Sequence, residues 1–149
     1  MSAKGELIKV QRSKIAENIP VSWVKRVISA TLAAEKSKKC FVSVLVTNNK
    51  EIRALNKKFL KHDFATDVIS FEPGSEYLVG KEADYLGDVV VSVDMAQFVA
   101  RDLGIPWRKE LARYLVHGTL HLLGYDDHGS EDREKMFRKQ EDIVEKLFR

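Results

Sequence analysis

Three of the four histidines in this chain fall within residues 117–128, and their spacing restricts how that segment can fold. His117 and His121 are four residues apart in a segment predicted to be helical. Both imidazoles therefore project from one helix face, one turn apart. At that spacing two ring nitrogens can reach one metal ion at about 2.0–2.1 Å each. The leucines on another face would anchor the helix to a core: Leu111, Leu115 and Leu122.

The residues that follow this helix supply the third predicted metal ligand. Gly124 is expected to end the helix, since glycine readily takes the left-handed conformation at a helix C-terminus. The chain can then turn back and bring His128 to the same ion. Three ligands leave one tetrahedral position open, which is typical of catalytic zinc, whereas structural zinc usually has four protein ligands, many of them cysteines. The chain has only one cysteine, so the pattern predicts a hydrolytic zinc site with His117 at its catalytic centre.

Position 118 distinguishes this motif from the common metallopeptidase pattern His-Glu-x-x-His, in which the glutamate is the general base. This chain has Gly118 there. A glycine inside a helix costs about 1 kcal/mol relative to alanine, so we interpret it as permitting the close approach of backbone or substrate. A peptidase would have no evident base, and proteolysis is the less favoured alternative.

The rest of the chain predicts one α+β domain that covers residues 1–149. The order of elements is β-α-β-α-β-β-α-α-α, giving a small mixed four-stranded sheet covered by about five helices, with the metal site on a helix of the C-terminal half. Strands are predicted at 6–12, 41–47, 67–71 and 86–91, and an exposed acidic loop at 74–85. Helices are predicted after Pro20, after Asn48, from about Asp94 to Gly104, from Pro106 and after Ser130. The last helix is expected to bury Met136, Phe137, Ile143, Val144 and Leu147.

Composition restricts where in the cell this protein is expected and which partners it is expected to bind. Cys40 has no second cysteine to pair with and is expected to be buried and inert. The sequence shows no signal peptide and no apolar run of the roughly 20 residues that would cross a bilayer, so a cytoplasmic protein without membrane contact is expected. Basic side chains cluster on the second predicted helix, where they could track a nucleic-acid backbone or simply form a solvated face: Arg53, Lys57, Lys58 and Lys61. His62 is expected at the surface.

The segment His117-Gly-Thr-Leu-His-Leu-Leu-Gly-Tyr-Asp126 resembles the signature of the YbeY family of bacterial endoribonucleases and rRNA maturation factors. Leu55-Asn56 with Phe59, then Asp63 and 66–71, resembles the family's upstream block, and 86–92 resembles its following strand. The resemblance implies a zinc-dependent, single-strand-specific endoribonuclease that acts in maturation of the 16S rRNA 3′ end and in ribosome quality control. It also implies ribosomal RNA and the small subunit as partners, with ribosomal proteins or GTPases as candidate protein partners.

The chain departs from the family pattern at two positions. The family usually has histidine directly after Tyr-Asp, but here Asp127 stands there and His128 follows. We favour His128 as the third ligand, with Asp127 as the alternative through a carboxylate oxygen. Asp126 and Asp127 could also orient a ligand histidine, or could merely form the turn. The second departure is Leu60, where members often carry an arginine, so that nearby lysines would have to supply positive charge.

The mechanism predicted from these residues is metal-assisted hydrolysis of a phosphodiester, by attack of water or of the 2′-hydroxyl. A non-catalytic, zinc-stabilised RNA-binding assembly factor is the main alternative function. Thr66, Asp67 and Asp88 match family positions, although turn and strand-edge roles would also explain them.

Overall fold

The computed structural model describes residues 7–38, 41–73 and 85–149. The strands are β1 (Leu7–Arg12), β2 (Phe41–Thr47), β3 (Val68–Phe71) and β4 (Tyr85–Ser92). The helices are α1 (Val21–Ala34), α2 (Asn49–Leu60), α3 (Val93–Leu103), α4 (Trp107–Leu122) and α5 (Ser130–Leu147), and a 3₁₀ turn lies at Lys14–Ala16. Cys40 and residues 74–84 of the expected acidic loop lie outside the described residues.

The strands form one sheet in the order β1-β2-β4-β3. β1, β2 and β4 are parallel, and β3 runs antiparallel along the edge beside β4. This confirms the predicted α+β fold with a mixed four-stranded sheet and five helices. The strand order itself was not readable from the sequence, because pairing joins segments that are far apart in the chain.

Local signals explain where several elements begin and end. The side-chain oxygen of Asn48 accepts the backbone N–H of Glu51 at 2.8 Å and caps α2. Gly104 ends α3 in the left-handed conformation, with a φ of 69°. Pro106 directly precedes α4, as predicted.

The two faces of the sheet carry separate cores. Val89 and Val91 belong to the larger core, with residues of α1, α3, α4 and α5. Val90 points the other way, as alternation along a strand requires, into a smaller core with Ile52 of α2. Helix α4 is thus held against the sheet on one side, and α2 on the other.

Helix α5 corrects one predicted core residue. Met136, Ile143 and Val144 are buried, and Leu147 packs against the same core. Phe137, however, is 57% exposed. Neighbouring residues on a helix point about 100° apart, so the residue after buried Met136 faces solvent.

Among the helices in the described part of the chain, none has the length and apolarity needed to span a membrane.

Candidate metal centre

Gly118 lets α4 lie directly on the edge of the sheet. A Cβ atom at this position would be 2.7 Å from Cγ1 of Val89 and 2.9 Å from Cγ2 of Val68. The hydroxyl of Ser70 in β3 donates to the Gly118 carbonyl at 2.8 Å. The sequence predicted that backbone or substrate approaches closely at Gly118, and in the structure it is the sheet that does so. It also means that a glutamate at position 118 would point into β3 and β4.

A glycine turn then brings the chain back to the helix face that carries the two histidines. Gly124 has a φ of 102°, and its N–H donates to the carbonyl of His121 at 3.0 Å. The carboxylate oxygen Oδ2 of Asp127 lies 3.4 Å from Nε2 of His121 and 3.8 Å from Nε2 of His117. The turn thus places a carboxylate, from beyond the helix, against both imidazoles.

His117, His121 and Asp127 fit a divalent transition-metal ion. Their donor atoms all lie within 4.8 Å of one another. Ligands about 2.0–2.1 Å from a tetrahedral zinc ion stand roughly 3.4 Å apart, close to the Nε2–Oδ2 separations seen here. All three side chains are partly exposed, so a bound ion would keep a position open toward the cleft. The group could hold a metal in the three-ligand arrangement expected from the sequence.

His128, the favoured third ligand from the sequence, is not in this group, although its ring nitrogen lies within 4.8 Å of carboxylate oxygens of Asp126 and Asp127. Its backbone N–H donates to Oδ1 of Asp126 at 3.0 Å, its ring nitrogen Nδ1 contacts the same oxygen, and its side chain is 85% exposed. These hydrogen bonds raise the pKa of His128 and lower that of Asp126. Because this local turn directs the ring of His128 toward solvent, the structure groups Asp127, the alternative ligand, with the helical pair. Asp126 holds His128 instead of orienting His117 or His121.

The three residues open into a cleft of about 450 Å³ between α4, β3 and the end of α2. Leu60 and Phe64 form an apolar part of its wall, and Phe64 is 54% exposed. The described residues that line the cleft include no lysine or arginine. The lining consists of Asn56, Leu60, Phe64, Thr66, Asp67, Val68, Ile69, Ser70, Glu72, His117, His121 and Asp127.

Thr66 and Asp67 are therefore beside the centre, while Asp88 is not in the lining. Asp67 also has a structural contact, since its Oδ1 accepts the backbone N–H of Val68 at 2.7 Å. Asp88 is only 5% exposed in β4, and its Oδ1 has no hydrogen-bond partner among the described residues. Burial raises the pKa of Asp88 to about 6.

The basic residues of α2 lie beside the cleft and not in its lining. Arg53 donates to Asp63 at 2.9 Å, and Lys57 lies 3.9 Å from the same carboxylate. The ammonium of Lys58 is 5.1 Å from the ring centre of Phe59. Lys61 follows the helix end in the left-handed conformation. Their predicted role in RNA binding stays a prediction.

The family model described as Endoribonuclease YbeY matches residues 7–148 of this chain. This chain belongs to the endoribonuclease YbeY family. The membership confirms the resemblance inferred from the sequence, and with it the predicted enzyme class, a hydrolase.

Relatives named endoribonuclease YbeY match most of the chain. The Aquifex aeolicus protein is 40% identical over 138 residues, which is 93% of this chain and 87% of that protein. The Sulfurihydrogenibium protein is 36% identical over 141 residues, covering 94% and 91% of the two chains. The solution structure of a Thermotoga maritima protein aligns with a TM-score of 0.63 at 26% identity, covering 95% of this chain and 89% of that one.

Behind the centre of this YbeY-family chain lies a polar network that the sequence reasoning missed. Nδ1 of His117 is 2.7 Å from Oε1 of Gln140, and the amide Nε2 of Gln140 donates to Glu141 at 2.9 Å. Arg113 donates to both oxygens of Glu141, at 2.7 and 2.9 Å, and also to Glu110. Burial would raise the pKa of Glu141, but the hydrogen bonds from Arg113 and Gln140 outweigh it and hold that pKa below its ordinary value.

A signal for Gln140 was present in the sequence. It lies four residues after Met136 and three before Ile143, on the face of α5 that was expected to be buried. A polar residue on a buried helix face needs a hydrogen-bond partner. The partner could not be identified before the packing of α5 against α4 was known.

Proposed function

We propose that this chain is a zinc-dependent endoribonuclease that cuts single-stranded RNA, with the 16S rRNA 3′ end as its substrate in ribosome maturation and quality control. The observation that carries the proposal is the set of donors from His117, His121 and Asp127 at the floor of an open cleft, in a chain of the endoribonuclease YbeY family. We propose Asp127 as the third ligand in place of His128.

The donor set favours zinc among the divalent metals. Two imidazoles and one carboxylate are ligands of known hydrolytic zinc sites, while magnesium and calcium prefer sites made only of oxygen ligands. When bound, zinc would lower the pKa of water and provide positive charge for a phosphate group. This charge matters because the described lining of the cleft has no cationic side chain and includes three carboxylates, Asp67, Glu72 and Asp127.

The apolar wall supports a single-stranded substrate. The exposed ring of Phe64 has a face on which an unpaired base could stack, a contact worth about 1–3 kcal/mol in proteins that bind single strands. The amide of Asn56 donates to the Phe64 carbonyl at 3.0 Å and fixes the backbone there. A duplex, whose bases are stacked inside, would not present a base to this ring. Lys57, Lys58 and Lys61 lie on the neighbouring helix surface, where they could follow the RNA backbone.

The test is cleavage of a single-stranded RNA with the sequence of the 16S 3′ end by zinc-loaded protein, beside a duplex of the same sequence. The expected result is cutting of the single strand alone, abolished by a chelator and by His117→Ala but retained in the exposed-site control His128→Ala. RNA binding without cutting, at about one bound zinc per chain, would favour the assembly-factor alternative. The ribosomal partners and the cytoplasmic location stay predictions.

A further inference from the structure

We infer that Gln140 is a positioning residue for the metal ligand His117. Its amide oxygen keeps the imidazole proton on Nδ1, so that Nε2 presents its lone pair to the metal position beside Asp127. The inference rests on the proposed metal centre but not on RNA as the substrate.

The direction of the Gln140 amide follows from its neighbour. The ionised carboxylate of Glu141 can only accept hydrogen bonds, so the group 2.9 Å from its Oε2 must be the amide NH₂ of Gln140. The amide oxygen then faces Nδ1 of His117 at 2.7 Å. Because an amide oxygen cannot donate, Nδ1 must carry the hydrogen, and Nε2 of the neutral ring is left as the acceptor.

The carboxylate that sets this direction is itself held in place. Arg113 binds both oxygens of Glu141 with two of its N–H donors and uses a third on Glu110. Gln140 and Glu110 are 6% and 5% exposed, so little water is available to replace a lost partner. A buried polar group without a hydrogen-bond partner destabilises the fold, which disfavours the flipped amide. Each group therefore orients the next. Arg113 holds Glu141, Glu141 orients the amide of Gln140, and that amide sets the proton position on His117.

The first measurement is the tautomer of His117 in the metal-free, ¹⁵N-labelled protein, from long-range ¹H–¹⁵N correlations assigned with His117→Ala. The expected result, at a pH where the ring is neutral, is a proton on Nδ1. A ring protonated at Nε2 in the wild-type protein overturns the inference, whether or not any Gln140 variant folds.

The second measurement is zinc affinity, by competition with a chromogenic chelator, in three variants. Gln140→Met keeps the side-chain length but removes the acceptor, and is expected to weaken zinc binding by about 10- to 100-fold. Ile143→Ala, on the buried face of the same helix, should lower the melting temperature and leave zinc affinity unchanged. Gln140→Glu restores an acceptor oxygen while placing a second carboxylate beside Glu141, so it should recover zinc affinity although it lowers stability.

These outcomes separate positioning from general destabilisation. If Gln140→Met and Ile143→Ala have the same zinc affinity, or if Gln140→Glu binds zinc no better than Gln140→Met, Gln140 has only a structural role. Failure of the wild-type protein to bind zinc would instead overturn the proposed metal centre, and the tautomer measured without metal would still decide the inference about Gln140.

Discussion

At the scale of single residues, the candidate metal ligands come from one helix and from the turn that follows it. His117 and His121 share a face because helix geometry fixes where residues four apart point. Asp127 and His128 are neighbours in an irregular turn, where a side-chain hydrogen bond decides which one faces the helix. The bond from the His128 backbone to Asp126 decides it here.

Alanine substitutions at these two neighbours test the ligand set. Asp127→Ala removes a donor that lies 3.4 Å from Nε2 of His121. We therefore expect zinc affinity to fall by more than about 100-fold, which is the largest loss typical of residues that only support a ligand. His128→Ala should change the affinity by about twofold at most, because its ring faces solvent. Titration against a competing chelator measures both. The opposite ranking would restore His128 as the third ligand.

Asp88 predicts a pH dependence of stability. The pKa of its carboxyl is 3.8 in the unfolded chain and about 6 in the fold, so between those values the folded state holds the proton more tightly. The contribution of Asp88 to the free energy of unfolding therefore falls as pH rises from about 4 to 6. Above pH 6 it stays at this lower value. Asp88→Asn cannot ionise, and should raise the free energy of unfolding by about 1–3 kcal/mol at pH 7.5.

The test compares the free energy of unfolding in urea of metal-free wild-type and Asp88→Asn protein at pH 7.5 and pH 4.5. The exposed control Asp102→Asn should show no such pH-dependent gain. A gain for Asp88→Asn of equal size at both pH values would mean that ionisation of the carboxyl is not its source.

At the scale of elements, hydrophobic periodicity predicted the helices and strands to within a few residues, because each periodic run is a local property. The order β1-β2-β4-β3 and the reversed edge strand β3 depend on pairing between distant segments. The α4–α5 contact that joins His117 to Gln140 is equally non-local. The sequence could therefore predict the ligand helix but not what supports it from behind.

The contact of α4 with the sheet can be tested at Gly118. Alanine there would gain about 1 kcal/mol of helix propensity, but its methyl group would meet branched carbons of Val89 and Val68 inside 3.0 Å. Overpacking of this kind costs about 1–3 kcal/mol. We expect Gly118→Ala to be destabilised overall by up to about 2 kcal/mol in urea unfolding, and to lose zinc affinity as the histidine face shifts.

A second substitution supplies the control for Gly118. Val68→Ala removes the Cγ2 atom that the new methyl group would meet, so Gly118→Ala should cost less in that background than in the wild-type chain. Strictly additive effects of the two substitutions would show that the close packing of α4 on β3 is not what requires glycine.

At the scale of the whole molecule, the core and the metal centre are largely separate. The larger core is built from α1, α3, α4, α5 and the sheet, and includes Leu111, Leu115 and Leu120 on the buried side of α4. Two of the proposed ligands, His117 and His121, lie on the partly exposed side of the same helix, and Asp127 reaches the same cleft from the turn after it. A chain of 149 residues buries enough apolar surface to fold without a metal, unlike a zinc finger.

Metal removal should therefore lower stability without unfolding the protein. A ligand present at 100 times its dissociation constant stabilises the folded state by about 2.7 kcal/mol. For a chain of this size that corresponds to roughly 5–10 °C in melting temperature. We expect chelated wild-type protein and His117→Ala to keep the helical circular-dichroism spectrum and a cooperative melt, with the melting temperature of the variant insensitive to added zinc. Loss of the cooperative melt on chelation would instead assign the metal a structural role, because a catalytic ion held at the surface of an independent core cannot be required for that core to form.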